Sequence, residues 1–139
     1  MNFSISGYQR VSWGPVRQFE IMTSDFIQIL HTGHHHWVCV SSIGCEPGVV
    51  HLYDSLFSGV IDDDVKEQVI CLFGEEDVKV VNVQQQTNMY DCGIFAIAFA
   101  TCLACNILPE TVHLDVALLR PHLKRCLKSG QMEPFPILN

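Results

Sequence analysis

Positive charge is scarce in this chain: eight Lys and Arg stand against 15 Asp and Glu, for a formal net charge of -7. Such a surface would on average repel a phosphate backbone, which argues against a nucleic-acid partner. Long apolar runs are lacking as well. The stretch from Ile94 to Leu108 is broken by Thr101 and Asn106 and falls short of the ~20 residues that a spanning helix needs, so no membrane span is expected. The opening "MNFSISGYQRVSWG" lacks the charged start, apolar centre and small-residue cleavage site of a secretory leader. An intracellular location, nucleus or cytoplasm, is therefore expected. No internal repeat, low-complexity tract or Pro/Gly/Ser linker divides the chain. Cysteine is present, but its seven copies are odd in number and follow no repeating spacing, which fits a reducing compartment better than a disulfide framework.

Apolar residues are abundant. They make up 48% of the 139 residues, enough for one sizeable core and hence one domain over residues 1–139. The first two dozen residues carry no clean period beyond a turn at Trp13-Gly14-Pro15. From Phe26 onward, "FIQIL", "HWVCVSS", "VVHLY" and "VKVVNV" are short β-branched or aromatic runs set between turn residues, and they read as strands. Between the third and fourth, Ile61, Val65, Val69, Leu72 and Phe73 recur at helical spacing behind an acidic first turn. "GIFAIAFATCLACNIL" is apolar on nearly every side, so a helix buried all round is expected there, ended by Pro109. A last helical region follows, with Pro121 expected to open a new segment and Gly130 to lie past its end. Strands grouped ahead of a buried helix predict an α+β fold, the central helix packed on an antiparallel sheet.

Cys92 stands where that buried helix should begin. Unpaired N–H groups and the positive end of the helix dipole favour thiolate there, and Gly93 would let another backbone approach the sulfur. A lone cysteine ahead of an apolar run can equally be a packed core residue. A nucleophilic thiol needs a base held by a third group. With a hairpin turn at Gly44–Gly48 and its midpoint at Cys45, His36 faces Asp54, so one sheet edge presents an imidazole beside a carboxylate that fixes its tautomer. A one-residue slip would turn one of the two side chains to the wrong face. Acyl transfer also needs donors aimed at the developing oxyanion, each typically worth ~3 kcal/mol. The backbone N–H of Cys92 can be one. Gln86, in the loop leading into the thiol, can supply the other, although a loop glutamine is otherwise only a solvated side chain.

Taken in order, "HHW", "YDS" and "QQTNMYDCGIF" resemble the ubiquitin-like-protein-specific cysteine proteases, the SUMO-protease (sentrin-specific) family, which share a papain-like fold core with the adenovirus protease. The resemblance runs from about His31 to Leu108, with "LLRPHL" as a possible extension. It rests on a Gln-x-Asn-x-x-Asp-Cys-Gly pattern met by Gln86, Asn88, Asp91, Cys92 and Gly93. It implies Cys92 as nucleophile, His36 as general base and acid, Asp54 as orienting carboxylate and Gln86 as oxyanion donor. It also implies that Trp37 helps roof a narrow channel, beside Gly93, for the Gly-Gly end of a ubiquitin-like, SUMO-like modifier. The family usually carries a longer N-terminal part with a further channel Trp, to which Trp13 is not equated, so a short version of the domain is expected.

Consecutive His34, His35 and His36 invite a metal, but neighbouring residues cannot all converge on one ion, and neither a metal nor any other cofactor is expected. Cys102 and Cys105 form Cys-x-x-Cys inside an apolar helix without a thioredoxin-like lead-in strand, and core packing is expected of them. The acidic runs "DDD" and "GEED" read as a helix start and a solvated loop. Two other readings stay open: a catalytically impaired module that binds a modifier, and a cysteine peptidase for another substrate.

Overall fold

A period of two in the β-rich half decides the architecture. The computed structural model describes residues 2–5 and 25–138; the turn expected at Trp13-Gly14-Pro15 lies outside them. Five strands form one sheet in chain order: β1 (Asn2–Ile5), β2 (Phe26–His31), β3 (Trp37–Ser41), β4 (Val49–Tyr53) and β5 (Asp77–Val81). In the central strands, odd-numbered Ile27, Ile29, Cys39 and Tyr53 enter one core, while even-numbered Leu30, Val38, Val40 and Leu52 enter another. Successive side chains leave a strand on opposite faces, so a sheet with two apolar faces needs a cover on each.

The even face is covered by α1 (Asp63–Phe73), through Val65, Val69, Leu72 and Phe73. Its start is built as the acidic run suggested. The Asp62 side chain accepts the N–H of Asp64 at 2.8 Å, and Asp63 and Asp64 sit at the positive end of the dipole. The odd face is covered by α2 (Cys92–Ala104), which buries ten of its residues. Phe95 and Phe99 are each 1% exposed, and the Phe99 ring lies 6.4 Å from that of Tyr53. Behind it α3 (Val116–Ser129) buries Leu119, His122 and Cys126.

Three details depart from the sequence-based expectation. The sheet is mixed: β2, β3 and β4 are antiparallel, but β1 and β5 run parallel to their neighbours. Strand β5 is reached from β4 through α1, and a helical crossover of that kind delivers a parallel strand. Helix α2 stops at Ala104, ahead of Pro109. Asn106 adopts a left-handed φ of 60°, and the Ile107 N–H returns to the Cys102 carbonyl at 2.8 Å, so a polar residue that tolerates this conformation ends the helix without proline. Pro121 lies inside α3 instead of opening a new segment. The buried positions Leu119, His122 and Cys126 lie along one stripe of α3, and packing of that stripe outweighs the one hydrogen bond that proline forfeits. Gly130 follows with a φ of 74°, as a helix-ending glycine should. Among the described residues no helix is long and apolar enough to cross a membrane.

Candidate active site

The β3–β4 hairpin sets the first pair. Cys39 stands opposite Tyr53 and Ser41 opposite His51, so the midpoint is Glu46 rather than Cys45. Glu46 is the numerical centre of Gly44–Gly48, and two successive tight turns, closed by Cys45 N–H to the Ser42 carbonyl at 3.0 Å and Val49 N–H to the Glu46 carbonyl at 3.1 Å, use left-handed Gly44 and Gly48; the register lies one full pleat from one centred on Cys45. A full pleat preserves the faces. His36 and Asp54 therefore meet diagonally instead of squarely, with His36 Nε2 2.6 Å from Asp54 Oδ1. The same Oδ1 accepts the Leu56 N–H at 2.9 Å. The two side chains are only 16% and 11% exposed, which limits solvent screening.

The three consecutive histidines face three different surroundings. His34 is exposed, with Nε2 3.8 Å from Asp62 and 3.7 Å from Asp64 at the start of α1. His35 takes a left-handed φ of 57°, and its carbonyl accepts the Cys92 thiol at an Sγ–O distance of 3.7 Å. The imidazole of His36 is influenced by the Cys92 side chain as well as by Asp54. Its Nε2 is committed to Asp54, which leaves Nδ1 as the ring nitrogen for the thiol. Burial, the largest influence on His36, disfavours its charge. The hydrogen bond and charge of Asp54, followed by those of Cys92, outweigh it and hold the imidazole pKa above its ordinary value.

Cys92 is the first residue of α2 and 5% exposed. Its own N–H is among the first-turn donors that a helix cannot pair internally. The polar run before it is a row of separate ties. Gln84 accepts the Leu114 N–H at 2.6 Å and donates to the Leu114 carbonyl at 3.2 Å. Gln85 donates to the Asp54 carbonyl at 2.9 Å and accepts the Phe57 N–H at 3.0 Å. Gln86 is 7% exposed: Oε1 accepts the Ser55 hydroxyl at 2.5 Å, and Nε2 donates to the Asn88 carbonyl at 2.7 Å. The Ser55 hydroxyl thereby fixes which end of the amide carries the donors. One of the two amide hydrogens is taken by Asn88, and the other has no partner among the described residues.

Beside the thiol lies a cleft of about 400 Å³, lined by Trp37, Met89, Tyr90, Cys92 and Gly93 among others. Trp37 is half-buried, its ring edge-on to His31 at 4.6 Å. A Cβ on Gly93 would meet only Trp37 Cδ1 within 4 Å, at 3.6 Å, an ordinary contact. The fold tolerates a side chain there, and its lack keeps the wall of the cleft open. Ser55, Gln85 and Arg120 carry ties that the sequence reading did not assign. Ser55 had a signal, since it follows Asp54 in "YDS"; Arg120, on α3, had none beyond its place in "LLRPHL". Cys102 is buried, and burial first, then Cys105, pushes its thiol up to about 11, the environment of a packed core residue; Cys105 is exposed instead of packed, because the helix ends at Ala104 and leaves it at the C-cap.

Residues 17–133 match the family model described as Ulp1 protease family, C-terminal catalytic domain. The chain is 33% identical over 111 residues to NEDD8-specific protease 1 of Schizosaccharomyces pombe (strain 972 / ATCC 24843), a match covering 69% of this chain and 26% of that protein. Among solved structures it is similar to one described as SUMO protease Ulp1 with the catalytic cysteine oxidized to a sulfenic acid, with a TM-score of 0.56 and 18% identity over 76% of this chain and 53% of that one. The latter likeness concerns the fold. The chain spans only part of the length of each of these proteins.

Proposed function

The chain belongs to the Ulp1 protease family, and from that premise we propose that it is a cysteine peptidase cleaving the peptide or isopeptide bond after the C-terminal glycine of a ubiquitin-like modifier. The observation that carries the reading is that His36 meets Asp54 at 2.6 Å while the thiol of Cys92, at the entrance of a buried helix, is held 3.7 Å from the carbonyl of the residue just before His36. The sequence relative is named for NEDD8 and the structural one for SUMO; a modifier of this class is the substrate. Seven free thiols suit a reducing compartment, the nucleus or cytoplasm.

Cys92 passes its proton to His36, and Sγ attacks the glycine carbonyl carbon. The carbonyl oxygen takes up the electron pair and is met by the Cys92 N–H and by the remaining hydrogen on Gln86 Nε2. As the tetrahedral species collapses, the C–N bond breaks and His36 returns its proton to the leaving amine, giving a thioester. Water then loses a proton to His36, attacks the thioester carbonyl and releases the modifier carboxylate and the thiol. Asp54 remains ionised throughout and supports the imidazolium. Trp37 and the bare Gly93 bound the cleft where an extended Gly-Gly backbone would lie.

SUMO and NEDD8, each carrying a C-terminal propargylamide, test this directly. One of them should form a covalent adduct with the protein, and Cys92→Ala should abolish it. An adduct that persists in Cys92→Ala would overturn the assignment of the nucleophile, and reversible binding without any adduct would leave a binding module instead of a peptidase.

A further inference from the structure

The reaction scheme leaves Arg120 unused, although it lines the same cleft as Cys92. From α3 its Nη2 donates to Asp91 Oδ1 at 2.7 Å and to the Tyr90 carbonyl at 3.3 Å. The other Asp91 oxygen accepts Asn88 Nδ2 at 2.6 Å. Asn88 Oδ1 in turn accepts the N–H groups of Tyr90 and Asp91 at 3.0 and 2.9 Å, and the Asn88 carbonyl accepts Gln86 Nε2. One chain of bonds thus runs from Arg120 through Asp91 and Asn88 to Gln86. Cys92 is the next residue after Asp91.

Asp91 occupies the N-cap position of α2 yet makes no side-chain cap bond. An aspartate there ordinarily turns its carboxylate onto the N–H groups of the second or third helical residue, which here are Gly93 and Ile94. Instead both oxygens are drawn outward, to Asn88 and Arg120. The Asp91 side chain is 8% exposed and that of Arg120 61%, so a buried carboxylate is held from outside by a cation at the cleft rim. Burial alone would favour its protonation, but the Asn88 and Arg120 bonds and the Arg120 charge prevail and keep it ionised.

We propose that Arg120 is a positioning residue for the peptidase reaction: by holding the Asp91 carboxylate away from the start of α2, it keeps that negative charge off the first-turn N–H groups and sets Gln86 and Cys92 at a fixed separation. The inference rests on the peptidase reading. Without the guanidinium, the carboxylate can swing onto the helix start, beside the place where the oxyanion forms. The damage then falls on the transition state and not on substrate affinity.

The test compares Arg120→Met, Arg120→Lys and the double variant Arg120→Met/Asp91→Asn, with folding checked by circular dichroism and turnover followed on SUMO- and NEDD8-aminomethylcoumarin. Arg120→Met should lower kcat by about tenfold or more with KM changed by less than about twofold, since a donor or charge at an oxyanion site acts on that scale. Arg120→Lys should retain most of the rate. The double variant should recover part of what Arg120→Met loses, because an uncharged Asn cannot repel the oxyanion; a merely structural tie would not be rescued this way. An unchanged kcat in folded Arg120→Met, a loss carried by KM, or a double variant no better than the single one would each overturn the proposal. Should Arg120→Met fail to fold, Arg120→Gln carries the same comparison. Wild-type protein that turns over neither substrate sinks the peptidase reading, whereas an unchanged kcat in folded Arg120→Met alongside active wild type sinks the positioning role alone.

Discussion

Asp54→Asn isolates the support that His36 receives. The substitution keeps the shape and retains an oxygen for the Leu56 N–H, held at 2.9 Å in the native protein, but removes the negative charge from a contact of 2.6 Å. A hydrogen bond to a charged partner contributes about 1.5–3 kcal/mol. With both side chains well shielded from water, loss of that much imidazolium stabilisation in the transition state corresponds to a fall in kcat of about 10- to 150-fold. The pH dependence has a defined sign. His36 must be protonated to deliver a proton to the leaving amine, and Asp54 is the chief influence raising its pKa above the ordinary value of 6.5. Taking the charge away lets burial prevail, so the alkaline limb of the kcat/KM profile moves to lower pH. Stability follows the same linkage. A raised folded-state pKa contributes stabilisation that is fully present below the ordinary His value and is lost as pH rises through the raised one. The melting-temperature gap between wild type and Asp54→Asn should thus be widest at mildly acidic pH and narrow toward alkaline pH. Stopped-assay profiles on an aminomethylcoumarin substrate and parallel thermal scans measure both. An alkaline limb that stays in place in Asp54→Asn would refute the view that Asp54 sustains the imidazolium.

Gln86→Ala removes the proposed side-chain oxyanion donor and should reduce kcat by about 10²–10³-fold while leaving the affinity of Cys92→Ala for the modifier unchanged when the two substitutions are combined; steady-state kinetics and binding isotherms check the two halves. Gly93→Ala meets only an ordinary 3.6 Å contact with Trp37, so thermal stability should hold while kcat/KM falls because the cleft wall is obstructed, and a variant with wild-type kcat/KM would remove Gly93 from the substrate path. Phe99→Ala, at a position 1% exposed between Tyr53 and Phe95, should cost about 3–5 kcal/mol in urea unfolding.

Much of the fold was legible because its signals are local and periodic. The β-branched and aromatic runs "FIQIL" and "VVHLY" suit a sheet buried on both faces, and the all-round apolarity of "GIFAIAFA" follows from a helix enclosed between the sheet and α3. The misreadings occurred where a local rule met a tertiary one. Pro121 is a helix breaker in isolation, but packing of Leu119, His122 and Cys126 carries the helix through it. The parallel course of β5 is a property of its connection, which strand residues do not encode. The hairpin centre at Glu46, by contrast, was legible from Gly44 and Gly48, whose midpoint it is; placing it at Cys45 miscounts the turn by one residue.

The candidate site divides along the same line. Cys92 was found from its place at a helix start, and His36 with Asp54 from a hairpin argument whose register was off by one pleat. It survived because a displacement of two residues keeps every side chain on its face. The diagonal contact that results is tight only because the Leu56 N–H holds Asp54 Oδ1 and the Gln85 amide holds the Asp54 carbonyl. Neither tie could be read from sequence, since each joins hydrogen-bonding groups whose neighbours along the chain are unremarkable. Gln84, Gln85 and Gln86 look identical in sequence and have three different partners in space. What distinguishes the oxyanion candidate is the Ser55 hydroxyl that orients its amide, and Ser55 sits beside Asp54 on the outgoing end of β4. The hairpin that brings the carboxylate to His36 therefore also orients the donor amide ahead of Cys92, so a shift of β4 disturbs both halves of the candidate chemistry together.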